Sequence, residues 1–306
     1  VTQEIIFPNY KELKMSLRIN NNVEALNAHR NLAQNDQLLS KSIERLSSGQ
    51  KINTGADGPA SLVISEGLRA QVASLHQATE NNESAISIVQ TAEGALNEVS
   101  RLLVDMRQRT VAAANVGVND QNMVAASQKE IENALSSIDR ISQNTQFGGE
   151  KLLNGSEEDS TQRNLSFQIG ANQGQIAGIA LPNIITTELA KGAPNDGGFS
   201  SLADVDVTTS EGANAAMSVI DEAISQITTS RGDLGAFQKN TLESNLTTLR
   251  VATENLTAAE SNIRDADVAV ELAAFTRNQI MTQAATAQLA QANAMPQNVA
   301  HLLSSQ

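Results

Sequence analysis

From Ile64 to Thr110 apolar positions recur in alternating steps of four and three: Ile64, Leu68, Leu75, Ala78, Ala85, Val89, Ala92, Leu96, Val99, Leu103 and Met106, with polar Gln71, Asn82 and Thr110 in the same series. That spacing predicts one heptad-patterned helix, with no Gly or Pro on its seam. At 1.5 Å per residue it extends roughly 70 Å, about twice the width of a compact domain, so the expected architecture is a rod. The polar seam positions cost stability but can fix the register of a partner helix.

Other helical patterns flank it. Between Leu17 and Leu46, Ile19, Val23 and Leu26 share one face, Leu32, Leu39, Ile43 and Leu46 another, and Gly49 suits a C-cap. Basic Arg18, Arg30, Lys41 and Arg45 nearly balance acidic Glu24, Asp36 and Glu44 there. The turn formers from Asn53 to Pro59 mark the first joint, with Pro59 suited to the first turn of the long helix. A turn over Asn115 to Asn119 then precedes a third helix, capped by Asn119 or Asp120, whose Val124, Ile131, Leu135 and Ile138 let it fold back on the long one. It ends near Phe147-Gly148-Gly149.

Across 154–209 the period changes to two at Leu165, Phe167 and Ile169. The Gly170–Gly174 turn leads to Ile176 through Leu181, which predicts a hairpin within irregular surface. Helical spacing returns with Thr208 and Glu211 as a capping box, then Ala216, Ile220, Ala223, Ile227 and Leu234. A second series, Leu242, Leu249, Leu256 and Ile263, is out of phase with the first. The break beside Gly232 and Gly235 predicts a kink, a close helix contact or a deformable point. Glu260 and Arg264 are spaced to pair one turn apart.

The closing stretch, Asn278 to Gln306, contains no Asp, Glu, Lys or Arg. Ala269, Ala273, Ile280, Ala287, Ala290 and Ala294 form a small-residue stripe suited to close helix approach. Ordering costs about 1–2 kcal/mol per residue, so a tail this poor in apolar area is expected to fold on assembly. Residues 1–14 hold the lone Tyr, Tyr10, and differ in character from the rest of the chain; they are expected to be a foreign extension, with Met15 as initiator.

The 306 residues include no Cys or Trp and carry a net charge of −13. Disulfide and thiol chemistry are excluded, and without clustered Lys and Arg no nucleic-acid partner is expected. No apolar run has transmembrane length, so no membrane partner is expected, and the N-terminus lacks the zones of a cleaved signal peptide. His29, His76 and His301 lie far apart and outside any HExxH pattern. Gly170, Gly174 and Gly178 do not make a phosphate loop, Asp204 and Asp206 do not continue into a calcium loop, and Asp267 with Glu271 is expected to be a solvated acidic face. Glu157-Glu158-Asp159 reads as a solubility run. No catalytic residue, cofactor or metal is expected.

Several motifs, in order, resemble bacterial flagellin from Met15 to Gln306. They are Asn20 to Ala28, Glu44-Arg45-Leu46-Ser47-Ser48-Gly49 with Lys51-Ile52-Asn53, Asn144 to Gly149, Phe167 to Asn172, Ser261 to Asp267, and Ala290 to Asn293 with Pro296 to Val299. The resemblance implies a mainly α, elongated antiparallel rod, a coiled-coil-like bundle with a small β-hairpin region. Its terminal helices, about 17–47 and 268–303, would line a filament core and be disordered in the monomer. The implied domains are a terminal-helix core domain (15–52 and 266–306), a helical rod (53–153 and 208–265) and an insert (154–207), large outer domains being nearly absent.

The implied function is a secreted structural subunit of the flagellar filament, serving motility and exported without a cleaved signal peptide. Its expected partners are copies of itself, an export chaperone, the filament cap and hook-junction proteins. The expected polymerisation interface is Ile19, Val23, Leu26, Leu32, Leu39, Ile43, Leu46, Val270, Ala273, Ile280, Ala287, Leu289 and Ala294. A hook-filament junction protein and a flagellin-like surface-binding protein are the alternatives.

Flagellins detected by the animal innate immune receptor carry a run resembling Gln-Arg-x-Arg-Glu-Leu-Ala on the outer face of the long helix. Aligned through Ala95-Leu96-Asn97-Glu98, the run here reads Val104-Asp105-Met106-Arg107-Gln108-Arg109-Thr110. Arg107 and Glu130 match the family, but Asp105 replaces the first Arg and Arg109 replaces Leu. Weak recognition is the expected result.

Overall fold

A computed structural model describes residues 21–115, 120–155 and 161–304, with side chains through 295. Residues 1–14, Met15, Ile19, Asn119, the acidic run 157–159 and the side chain of His301 lie outside it. In order it has α1 (Val23–Ser48), α2 (Pro59–Ala113), α3 (Gln121–Asn144), β1 (Gln146–Phe147), β2 (Glu150–Lys151), β3 (Gln162–Gln168) and β4 (Ile176–Pro182). A 3₁₀ turn (Leu202–Asp204), α4 (Ser210–Ala236), a π-helical segment (Phe237–Glu243), α5 (Ser244–Arg264) and α6 (Val268–Ser304) complete it. The described residues are mainly α with two small antiparallel strand pairs. The described residues form two compact units, one within Val1–Glu66 and Ala259–Gln306, the other Gly67–Ala258.

In the second unit the seam of α2 is buried at every heptad position from Leu75 to Met106, and Thr110 and Ala113 continue it. Toward its N-terminus the seam drifts by one residue. Ser65 is buried and Leu68 and Val72 are half-buried, whereas Ile64 is 55% exposed and Gln71 is exposed, so the expected places of those two are corrected. A strict 3.5-residue repeat cannot stay on one face of a 3.6-residue helix without supercoiling, and this end slips. Asp120 caps α3 by accepting from Met123 N at 2.9 Å, and Ile131 and Ile138 fill the groove against α2. Three ion pairs run in opposite order along the helices, Arg107 with Asp221, Glu93 with Arg231 and Glu83 with Arg250, so α4 and α5 lie antiparallel to α2.

The predicted hairpin is β3–β4, in register from Gln162 opposite Pro182 to Gln168 opposite Ile176. The rest of the insert is not all surface, a correction to the sequence reading. Ile184, Leu189, Leu202, Val205 and Val207, with Leu152 and Leu153 just before the insert, belong to the same core as α2, α3 and α4. They are scattered with no period, because each is set inward by loop hydrogen bonds such as Thr186 N to Asp139 Oδ1 (2.9 Å) and Val207 N to Gln128 Oε1 (2.9 Å).

Two helix-level expectations also change. The cap of α4 is Thr209, whose Oγ1 accepts from Gly212 N at 3.0 Å, rather than Thr208, whose N–H is taken by Asp206 Oδ1. A Cβ at position 212 would lie 2.6 Å from Asp206 O, so a glycine is required there and Glu211 is one residue short of a capping box. The phase break is not a close contact at Gly232 or Gly235, since neither has a neighbour within 4 Å of a Cβ site. Leu234 and Leu242 are both buried eight residues apart, one more than a heptad, and the π-helical turn between them takes up the extra residue.

The first unit pairs α1 with α6. Gly49 ends α1 with φ 71°, the left-handed C-cap, its N–H donating to Arg45 O at 2.9 Å. Asp267 starts α6 by accepting from Ala269 N and Val270 N, at 2.9 and 3.2 Å. Glu271, its side chain 12% exposed, lies 3.7 Å from Arg45, so these two acids form a cap and an ion pair rather than a solvated face.

Candidate functional site

The α1–α6 contact mixes polar, small and apolar side chains and leaves further apolar ones outside it. Where the helices meet, Asn22 Nδ2 donates to Ala292 O at 2.7 Å and Asn278 Nδ2 to Ser42 Oγ at 3.2 Å. Buried Ala28, Ser42, Ala285 and Ala292 share that contact with half-buried Leu32, Leu39, Phe275 and Leu289. Other large aliphatic side chains point the other way. Val23, Leu26, Ile43, Val270 and Ile280 are between 51% and 67% exposed. A pair of helices that leaves valine, leucine and isoleucine this exposed has an unmet demand for apolar contact on its outer side.

Of the residues expected in an interface, Ala273 and Ala287 also face out, and Leu46 and Ala294 are half-buried with Leu32, Leu39 and Leu289. The small-residue stripe of Ala269, Ala273 and Ala287 faces solvent; α1 packs instead along Phe275, Asn278, Ala285 and Ala292. The sequence could not choose, because in a tail this rich in alanine more than one stripe of small residues is available.

Sequence reasoning missed how the two breaks in the chain are fastened together. Gln50 and Asp265 form a single antiparallel bridge, Lys51 N donates to Arg264 O at 2.7 Å, and Ala266 N donates to Gly49 O at 2.9 Å. Arg264, only 8% exposed, donates to Gln50 Oε1 at 3.0 Å and to Glu66 Oε1 at 2.5 Å, and does not make the expected pair with Glu260. Nearby, Asp57 holds the Lys41 ammonium at 2.6 Å and accepts from Thr54 N and Thr54 Oγ1 at 3.0 Å. Lys41 first, then the Thr54 donors, hold the Asp57 carboxyl well below the usual carboxylate range. The motifs at 50–53 and 261–267 thus serve one joint. The signal was present as two unexplained polar runs at chain breaks, but nothing in one sequence pairs them.

On the other unit, Asp105, Arg109, Glu130 and Ser137 line a shallow groove between α2 and α3, where Arg109 Nε lies 2.6 Å from Glu130 Oε2. Arg107, two residues from each of Asp105 and Arg109 and so on the other side of α2, binds Asp221 of α4 instead. The structure therefore brings Asp105, Arg109 and Glu130 together and separates Arg107 from them.

Chemistry elsewhere is sparse. Asp204 accepts from Ser200 N and Ser200 Oγ, which lower its pKa, and serves as a turn anchor. Among the described residues no group of three or more His, Asp or Glu could hold a metal ion, and no helix is long and apolar enough to cross a membrane.

Residues 19–158 match the family described as bacterial flagellin N-terminal helical region, and residues 217–303 match the bacterial flagellin C-terminal helical region. The flagellin of Bacillus subtilis is 42% identical over 94% of this chain and 100% of its own length. That of Halalkalibacterium halodurans is 41% identical over 93% of this chain and 99% of its own. A solved putative flagellar hook-associated protein from Vibrio parahaemolyticus shares the fold, with TM-score 0.56 over 68% of this chain and 100% of its own at 15% identity. With both helical regions matched and near-complete relatives at this identity, the chain belongs to the bacterial flagellin family.

Proposed function

We propose that the outward face of the α1–α6 pair is the surface by which this chain, a structural subunit of the bacterial flagellar filament, packs against copies of itself. The observation that carries the reading is the exposure of Val23, Leu26, Ile43, Val270 and Ile280 on a pair whose own contact leaves these aliphatic side chains uncovered. Burying such side chains contributes roughly 1.5–3 kcal/mol each, which a neighbouring copy supplies and water does not. Residues 15–52 and 266–306 then build the filament core, 53–153 and 208–265 the helical rod, and 154–207 the insert. An export chaperone, the filament cap and hook-junction proteins would meet the same terminal helices. The junction-protein alternative is not favoured, since the relatives matched over nearly their whole length are flagellins.

Seeded elongation tests the assembly surface. Deleting Asn278 to Gln306 leaves the core of residues 67–258 intact, so the truncated chain should stay soluble and folded and add nothing to seeds. Normal filaments from it would refute the role of α6. Far-UV circular dichroism should also show less helix in the monomer than in the polymer, and equal helix in both would refute folding on assembly.

The altered run supports a second consequence, weak detection by the innate immune receptor. Asp105 reverses a charge, and Arg109 both replaces an apolar residue and engages Glu130, the acid that matches the family. Two changed contacts, at about 2 kcal/mol for a central one, weaken recognition by well over tenfold. Equal potency to a flagellin with the usual run in a receptor-reporter assay would refute this, and Asp105→Arg with Arg109→Leu should restore potency.

A further inference from the structure

The outward surface of α6 contains an apolar groove of about 600 Å³ lined by Ala269, Leu272, Ala273, Thr276, Ile280 and Met281, with one charge at its edge, Arg277. Arg277 is the last charged residue in the chain. It is exposed and has no ion-pair partner among the described residues. An arginine at the edge of an apolar surface that becomes buried needs a carboxylate, because leaving the charge without one forfeits far more than the contact gains.

The complementary surface is on α1. Exposed Ile43 lies on the same side of α1 as exposed Asp36 and Glu44, neither acid having an ion-pair partner among the described residues. The one base in that stretch, Lys41, is held by Asp57 at 2.6 Å, so 36–44 presents acid beside aliphatic surface. The start of α1 does not, since Glu24 there is offset by Arg30. Within one copy these groups do not meet. Ser42 and Asn278 mark the sides on which α1 and α6 touch, and Glu44, two residues from Ser42, is turned about 200° from that side.

We propose that a second copy of this chain seats its α1 segment 36–44 on the α6 groove, pairing Arg277 with the acid of Asp36 and Glu44. This rests on the filament reading above and adds the charge pair that sets the register between copies.

Seeded elongation followed by sedimentation, on the full chain with monomer helix content matched, tests it. Arg277→Ala should raise the critical concentration about tenfold or more, and Arg277→Glu further. Combining Arg277→Glu with Glu44→Lys or with Asp36→Lys should bring it back to within about threefold of the parent for at least one acid. A rescued double variant also shows that the single variant had not simply misfolded. Elongation of Arg277→Glu at the parental level, or rescue by neither acid, overturns the charge pair. Failure of the parent chain itself to elongate would instead overturn the filament reading.

Discussion

Replacing Arg264 by Met isolates the joint that fastens residues 49–51 to residues 264–266. The substitution keeps an apolar stem of similar length in a site 8% exposed and removes the donors to Gln50 and Glu66. Hydrogen bonds to a charged group contribute roughly 1.5–3 kcal/mol, and the 50% exposure of the Glu66 side chain holds that pair to about 1 kcal/mol or less. The expected loss is therefore about 2–3 kcal/mol, localised to the joint. It should appear as a fall of roughly 30- to 150-fold in amide hydrogen-exchange protection at Lys51 and Ala266, whose N–H groups bond across the joint. Amides of Ile131 and Ile138, in the other unit, should keep their protection. Protection at Lys51 and Ala266 within threefold of the parent would show that the backbone bridge stands without Arg264, and the reasoning would fail.

Asp57 has a folded pKa below its unfolded value, so its contribution is present above about pH 4 and lost as pH falls through the folded value. Protection of the Thr54 amide should fall on acidification, and Asp57→Asn should abolish that dependence. Ile138→Ala empties a fully buried position and should cost about 2–5 kcal/mol, read as a lower urea midpoint at unchanged slope. Two glycine substitutions should differ in sign. Gly235→Ala, with open space around its Cβ site, should stabilise by up to about 1 kcal/mol, whereas Gly212→Ala should destabilise through the 2.6 Å approach to Asp206 O, and urea titrations yielding the same sign for both would refute this. Asn82→Leu should also stabilise, because neither amide atom of this buried residue has a hydrogen-bond partner among the described residues; an unchanged or lower urea midpoint would count against it.

The long helix, its capped neighbour α3, the β3–β4 hairpin and the phase break before Leu242 were legible in the chain because each is written in local periodicity or turn chemistry. Period alone sufficed where a face is lined by large side chains, as from Leu75 to Met106. It failed in three places for the same reason. In α6, alanine is so frequent that several faces look equally small, and only packing against α1 selected the one through Asn278, Ala285 and Ala292. In the insert, Leu189, Leu202 and Val207 are scattered in sequence, and loop hydrogen bonds made over long separations turn them into the core. At the joint, Gln50 and Arg264 are 214 positions apart, and no local rule pairs them. The altered run at 105–109 was visible by comparison of motifs, yet the division of its residues between α3 and α4 was not. Helical geometry places Arg107 opposite its neighbours, but which helix lies on each side is a property of the folded chain. Local sequence sets which elements form and which side of each is apolar. Contacts between residues far apart in the chain decide which of several equivalent faces is used, because only then do side-chain size and hydrogen-bond partners differ between them.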